Sequence, residues 1–217
     1  MSRVLHLLCA SMFMVITGAC AEAADIRPTV TTGAAAASPM KVAETKALLR
    51  DLWLGHILSI RNVAVATMDK NAAAREAAES TVVTNAEQIA RSIEPFYGKS
   101  SSDKLFTLLA GHYTAIRDHL DALAAGNQDD QDLAVTVLTA NAADISSFLS
   151  SANPYLPKHR LMGLLTAHAA HHMTEFRQLK AGEYVREGET WHGMKQHIYI
   201  VADALTDGLA AQFPEKF

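Results

Sequence analysis

The sequence predicts an all-α fold: an up-and-down helical bundle of about six helices, arranged as three helical hairpins. Three observations predict it. Apolar residues recur at helical spacing along six stretches. The prolines are few and fall between those stretches, while Ala, Leu, Glu, Gln and Lys, all good helix formers, fill them. Finally, His56, His112 and His168 are each 56 residues apart, and their neighbours keep the step: Leu49, Leu105 and Leu161, then Leu52, Leu108 and Leu164. An ungapped step at so many positions predicts an internal repeat of 56 residues, one hairpin to a unit.

The chain opens with the pattern of an export signal. Arg3 supplies a positive start, Val4 to about Ala19 is apolar, and Ala19-Cys20-Ala21 and Ala21-Glu22-Ala23 are small-x-small cleavage sites. Residues 1–23 are therefore expected to be a signal peptide, directing the protein to the periplasm or medium. The alternative is a lipoprotein signal with Cys20 as the lipidated residue, which would anchor the protein to a membrane. Residues 24–38 have no apolar period and read as a flexible tether.

The helical-bundle domain is expected over 39–217, with hairpins at 39–95, 100–153 and 157–217. Ser38-Pro39 reads as the cap and first position of a helix running to about Asp69, with Leu49, Leu52, Trp53, His56, Ile60 and Val63 on its stripe. Asn71 opens a second helix, which carries Val82, Asn85, Ile89 and Ile93 and ends near Pro95. Pro95 to Lys99 is expected to be a loop, with Ser100 to Ser102 capping the third helix. That helix presents Leu105, Leu108, Leu109, His112, Ile116, Leu120 and Leu123 and stops at Gly126-Asn127. A fourth, opened by Asp129 and Asp130, has the stripe Leu133, Leu138, Asn141, Ile145 and Leu149. The fifth begins near Pro157, carries Leu161, Leu165, His168, His172, Phe176 and Leu179, and ends at Gly182. The sixth is expected from about Glu189 to Phe213, with Met194, His197, Val201 and Leu205. Helices of this length span ~35 Å at 1.5 Å per residue. The hairpins can close into a bundle that brings the histidines near one axis, which is the expectation, or stack as a short solenoid that keeps them apart.

Composition removes several function classes. A net charge of −4 and the absence of a basic stripe argue against nucleic acid as a partner. Both cysteines, Cys9 and Cys20, lie in the signal segment, so the mature domain has no disulfide and no thiolate ligand or nucleophile. No Walker, Rossmann or G-x-S-x-G motif occurs. What remains is a histidine-lined interior.

Neutral imidazole is the commonest protein ligand for zinc, copper, nickel and iron. Three His with an open fourth position make a recognised catalytic zinc arrangement, so any catalysis would be metal-assisted. His56, His112 and His168 are the central candidates, one per hairpin. His172 and Glu175 lie at i+4 and i+7 from His168 on the same helix face. His197 occupies the place of Asn85 and Asn141 in the third hairpin, again at steps of 56, so the third unit is the richest in ligand-type side chains. Arg61, Asn85 and Asn141 are candidates to hold a bound cofactor or small ligand. The competing expectation is structural: Asn85, Asn141 and His197 satisfy the three imidazoles in a closed hydrogen-bond network, and no metal is needed. His119, His159 and His192 read as structural or solvent-facing, and Asp203 and Asp207 as mainly exposed.

The ordered motifs Leu52-Trp53-Leu54-Gly55-His56 with Arg61, Pro95-Phe96-Tyr97-Gly98, Ala140-Asn141-Ala142-Ala143-Asp144-Ile145, Ser151-Ala152-Asn153-Pro154 and the ending Gln212-Phe213-Pro214-Glu215-Lys216-Phe217 carry a resemblance. Over about residues 47–217 the chain resembles a family of small all-helical proteins common in Bacillus-type and other bacteria, without established activity. Members are sometimes labelled glycosyltransferase or acetylglutamate kinase; both labels imply α/β sheets, and neither has motif support in this sequence. The resemblance implies shared roles for His56, Arg61, His112, His168 and Glu175, and sets His172 and His197 outside that shared group. The functional expectation is an exported bundle whose interior binds a transition metal or small ligand. The alternative is a non-enzymatic binding or stress module with a purely structural His/Asn network.

Overall fold

The computed structural model describes residues 36–217. The expected signal peptide with Cys20, and residues 24–35 of the expected tether, lie outside the described residues. The remainder is all-α: α1 (Pro39–Met68), α2 (Ala72–Ser92), the single turn α3 (Glu94–Tyr97), α4 (Lys99–Ala125), α5 (Gln128–Ala152), α6 (Lys158–Ala181) and α7 (Tyr184–Gln212), then a 3-10 turn at Pro214–Lys216.

Local chemistry sets the breaks. Asn71 and Asn127 each cap the following helix, their side-chain oxygens accepting from the backbone N–H of Ala74 and Asp130. Gly126 and Gly182 close α4 and α6 in the left-handed conformation, at φ 76° and 70°. Pro39 sits in the first turn of α1, where its missing N–H would have had no partner.

Four expectations are corrected. The stretch from Pro95 is not a plain loop, because a proline is tolerated in the first turn of a helix and α3 forms around it. Gly98, at φ 79°, precedes α4 directly, so Ser100 to Ser102 are not its cap; Ser102 is buried inside the first turn. The last helix starts at Tyr184 rather than Glu189, since Gly188 is accommodated in its interior. Leu133 is 62% exposed, and the inner face of α5 is carried by Ala134, Leu138, Ala142 and Ile145. Neighbouring leucine and alanine give nearly the same period, and the smaller residue allows the closer helix approach.

Each of the three helix pairs α1–α2, α4–α5 and α6–α7 packs along its length, α2 meets α4, α5 meets α6, and α7 returns to α1. The ring is closed, which excludes the solenoid. α1, α4 and α6 also touch one another and form the inner trio, while α2, α5 and α7 run back along the outside. By length and composition α5 is the one described helix apolar enough to cross a membrane; in the bundle its Leu138 and Ile145 are buried.

The core falls into two main apolar halves. One holds Leu49, Trp53, Ile57, Ile89, Leu105, Leu109, Met194, Ile198 and Val201. The other holds Ile60, Val63, Val82, Ile116, Leu120, Leu138, Phe176 and Leu179. Between them, midway along the inner helices, sits a layer of buried imidazoles.

Candidate metal centre

The inner helices deliver that layer because each histidine follows its leucines on the buried stripe. His56 on α1 and His168 and His172 on α6 each present one ring nitrogen within 4.8 Å of the other two. His168 and His172 are neighbours by the helix repeat, at i and i+4, with ring centroids 4.5 Å apart. His56 comes from the facing helix, its ring 5.5 Å from His168 and 6.3 Å from His172. His112 completes the layer from α4, stacked 5.9 Å from His168. All four are 5% exposed or less.

Their hydrogen bonding is unequal. Both nitrogens of His168, both of His172 and Nδ1 of His56 are buried with no hydrogen-bond partner among the described residues. His112 differs, since its Nδ1 lies 3.1 Å from Asn141 Oδ1. Burial pushes His56 down to about 3, helped by the nearby His112, and His112 down to about 4 against the opposing pull of Asn141. Burial first, and the neighbouring imidazoles second, hold His168 and His172 well below the ordinary histidine value. All four rings are therefore neutral near pH 7, the protonation state a metal requires.

One turn beyond His172 on α6, Glu175 is 1% exposed, with Oε2 3.6 Å from His172 Nδ1. Burial, with the charge of Glu187, pushes its carboxyl up to about 8 despite Arg61 beside it. Arg61 Nε stands 3.5 Å from Glu175 and donates to Glu187 at 2.6 Å, while Nη2 donates to the second Glu187 oxygen at 3.0 Å. Its guanidinium also lies over Trp191. Arg61 is thus engaged by Glu187 and lies beside Glu175, behind the imidazole layer. Glu187 is a buried group that falls outside the expected last helix, whose expected start at Glu189 lies two residues after it. Counting back seven from Met194 along the helical period places Glu187 on the buried face.

The Asn/His layer has a common geometry. Asn85 Nδ2 donates to Leu52 O at 2.9 Å and Asn141 Nδ2 to Leu108 O at 3.0 Å, and His197 Nε2 lies 2.9 Å from Leu164 O. Each tie joins an outer helix to its inner partner over 33 residues. Gly55 and Gly111 make room for the two amides, whose nitrogens would lie 3.1 and 3.2 Å from an added Cβ. Of the three, Asn141 alone is hydrogen-bonded to an imidazole of the layer. His197 lies 6.5 Å from His168, ring to ring, with its Nε2 on a carbonyl, and stands outside the group of three.

The other histidines and the two aspartates of α7 lie elsewhere. His171 is half-buried beside His197, His119 is buried near the Gln131 carbonyl, and His159 and His192 are exposed. Asp203 pairs bidentately with Arg50 and Asp207 with Lys46, both away from the imidazoles.

Fold and site together define a class: an all-α helical bundle with a buried histidine group close enough to hold a metal ion. Comparison with protein-family models, curated proteins and solved structures finds no match, so nothing there bears on the family resemblance.

Proposed function

We propose that this protein is an exported metal-binding bundle in which His56, His168 and His172 hold one first-row transition metal ion. The observation that carries the reading is the set of buried ring nitrogens on these three residues with no hydrogen-bond partner among the described residues. Burying polar groups unpaired costs about 1–3 kcal/mol each, and a shared metal ion satisfies several of them at once. Imidazole ligands suit zinc, copper, nickel and iron. Metal–nitrogen bonds are about 2.0–2.1 Å, and the three ring nitrogens lie within 4.8 Å of one another. Glu175, adjacent to His172, is placed to accept from its ring or to supply a carboxylate oxygen. Three protein nitrogens leave a position for an exogenous ligand, the requirement for metal-assisted chemistry. Export rests on the sequence of residues 1–23.

A structural network without metal accounts for His112, which has its amide partner, and not for His168 or His172, which have none among the described residues. The test is the metal content of mature protein after metal loading and exhaustive dialysis. One equivalent in the wild type, lost in His168→Ala and His172→Ala, is the expected result. Wild-type protein that retains no metal, with full solubility and helicity, removes the reading.

A further inference from the structure

Above the imidazoles the helices line an apolar chamber of about 60 Å³. His56, His112 and His168 border it, together with Trp53, and its walls are Leu105, Leu109, Ile145, Leu165 and Val201 among others. Leu49, Leu105 and Leu161 each precede the imidazole of their own helix by seven residues, which places them roughly 10 Å from the histidine layer at 1.5 Å per residue. The far end is bounded by Ser92, Tyr97, Leu156 and Leu209, where α2, α3, the α5–α6 connection and α7 come together. Hydrogen bonds lace that end together: Asn153 Nδ2 donates to Tyr97 Oη at 2.9 Å, Tyr97 Oη donates to Gln212 Oε1 at 2.7 Å, and Gln212 Nε2 donates to Ala152 O at 2.9 Å.

Size and chemistry restrict the occupant. The chamber exceeds the 10–15 Å³ or so that one water needs, yet is under half the roughly 150 Å³ of an apolar cavity that admits benzene. Its walls are nearly all hydrocarbon, so water would find few partners there. A charged or sugar-like substrate would lose its hydration without replacement. An uncharged apolar molecule of two to four heavy atoms loses little hydration and gains contacts with every wall.

Position matters as much as size. His56 and His168 belong both to the chamber wall and to the three-histidine group, whereas His172 and Glu175 do not border the chamber. A metal held by the three would therefore meet the chamber on the side of His56 and His168 and face Glu175 on the other. We infer that the chamber holds a small apolar gas molecule of the diatomic class and delivers it to the metal side of His56 and His168. The endpoint of this path rests on the three-histidine reading; the chamber itself does not.

The test separates the two. Metal-free full-length protein is pressurised with xenon, and methyl resonances are followed by NMR. Saturable shifts at Leu105, Leu109, Ile145 and Val201 are expected, and Leu149→Phe and Leu205→Phe, whose side chains border the chamber, should weaken xenon binding about tenfold by filling it. Val201→Ile adds a single methylene and serves if the larger rings disturb folding. Xenon shifts confined to surface methyls, or absent, overturn the chamber as a ligand site whatever the metal content. The iron(II)-loaded protein is then exposed to nitric oxide, with its electron paramagnetic resonance signal as readout. Association slowed about tenfold in the variants that exclude xenon supports delivery through the chamber, and unchanged association overturns it. Failure to load any first-row transition metal sinks the metal reading, and failure to load iron alone overturns delivery to it, while the xenon result stands by itself.

Discussion

Asn141 fixes the tautomer of His112. Its amide nitrogen donates to the Leu108 carbonyl, so the oxygen 3.1 Å from His112 Nδ1 is an acceptor and Nδ1 carries the proton. This leaves Nε2 with the lone pair in a ring that borders the chamber. One amide thereby couples α5, α4 and the imidazole layer. Asn141→Ala removes both bonds and leaves a buried N–H without its acceptor. A loss of about 2 kcal/mol in urea denaturation is expected, with metal stoichiometry unchanged. A loss of metal without a loss of stability would show that His112 belongs among the ligands.

Metal binding should separate the four imidazoles. Saturating zinc or cobalt at 100 times the dissociation constant should stabilise the wild type by about 2.7 kcal/mol. His56→Ala, His168→Ala and His172→Ala should each abolish that increment, and His112→Ala should retain it. Calorimetric titration and thermal melts, with and without chelator, read both. Equal loss in all four variants would contradict the three-residue assignment.

The metal-free protein should be most stable close to neutral pH. His56 and His112 titrate at about 3 and 4 in the fold against an ordinary 6.5, and His168 and His172 are also lowered. Below about pH 6.5 the unfolded chain takes up protons that the folded chain refuses, so stability falls with pH by up to about 1.4 kcal/mol per unit per histidine. Glu175 runs the other way. It is raised from 4.5 to about 8, so the folded state holds a proton the unfolded state has lost, and its contribution drains as pH rises through that range. Four histidines outweigh one glutamate on the acid side. Urea midpoints should climb steeply from pH 5 to about 6.5 and decline gently toward about 8. A flat acid limb would mean that the imidazoles are not buried neutral.

Arg61 is the cation for two buried carboxyl groups, Glu187 at 2.6 Å and Glu175 at 3.5 Å. Arg61→Ala strands Glu187, which is 4% exposed, and should cost about 3 kcal/mol. Arg61→Lys cannot reproduce the bidentate contact and should recover only part of it. Arg61→Ala combined with Glu187→Gln should be milder than Arg61→Ala alone, because the stranded charge is gone. Chemical denaturation of the three variants measures this, and a double variant worse than the single would refute the pairing.

The helix ends were readable because their causes are local. Asn71 and Asn127 cap through bonds within three residues, and Gly126 and Gly182 supply a conformation that side chains resist. The pairing of His168 with His172 was equally local, a consequence of the helical repeat. Leu133 failed for a different reason: its exposure depends on how closely α5 approaches α4, and Ala134 satisfies the same period. Glu187 was hidden because its partner, Arg61, lies 126 residues away.

By itself, then, the sequence determined an all-α bundle, its hairpin turns, and histidines on the buried stripe of the inner helices, all of which follow from interactions spanning a few residues. The tertiary structure alone decided that the ring closes between α7 and α1, and that His56 meets His168 and His172 while His112 turns to Asn141. It also placed Arg61 against Glu175 and Glu187. These depend on how helices far apart in the chain are rotated and spaced against one another, and packing, rather than periodicity, sets that rotation.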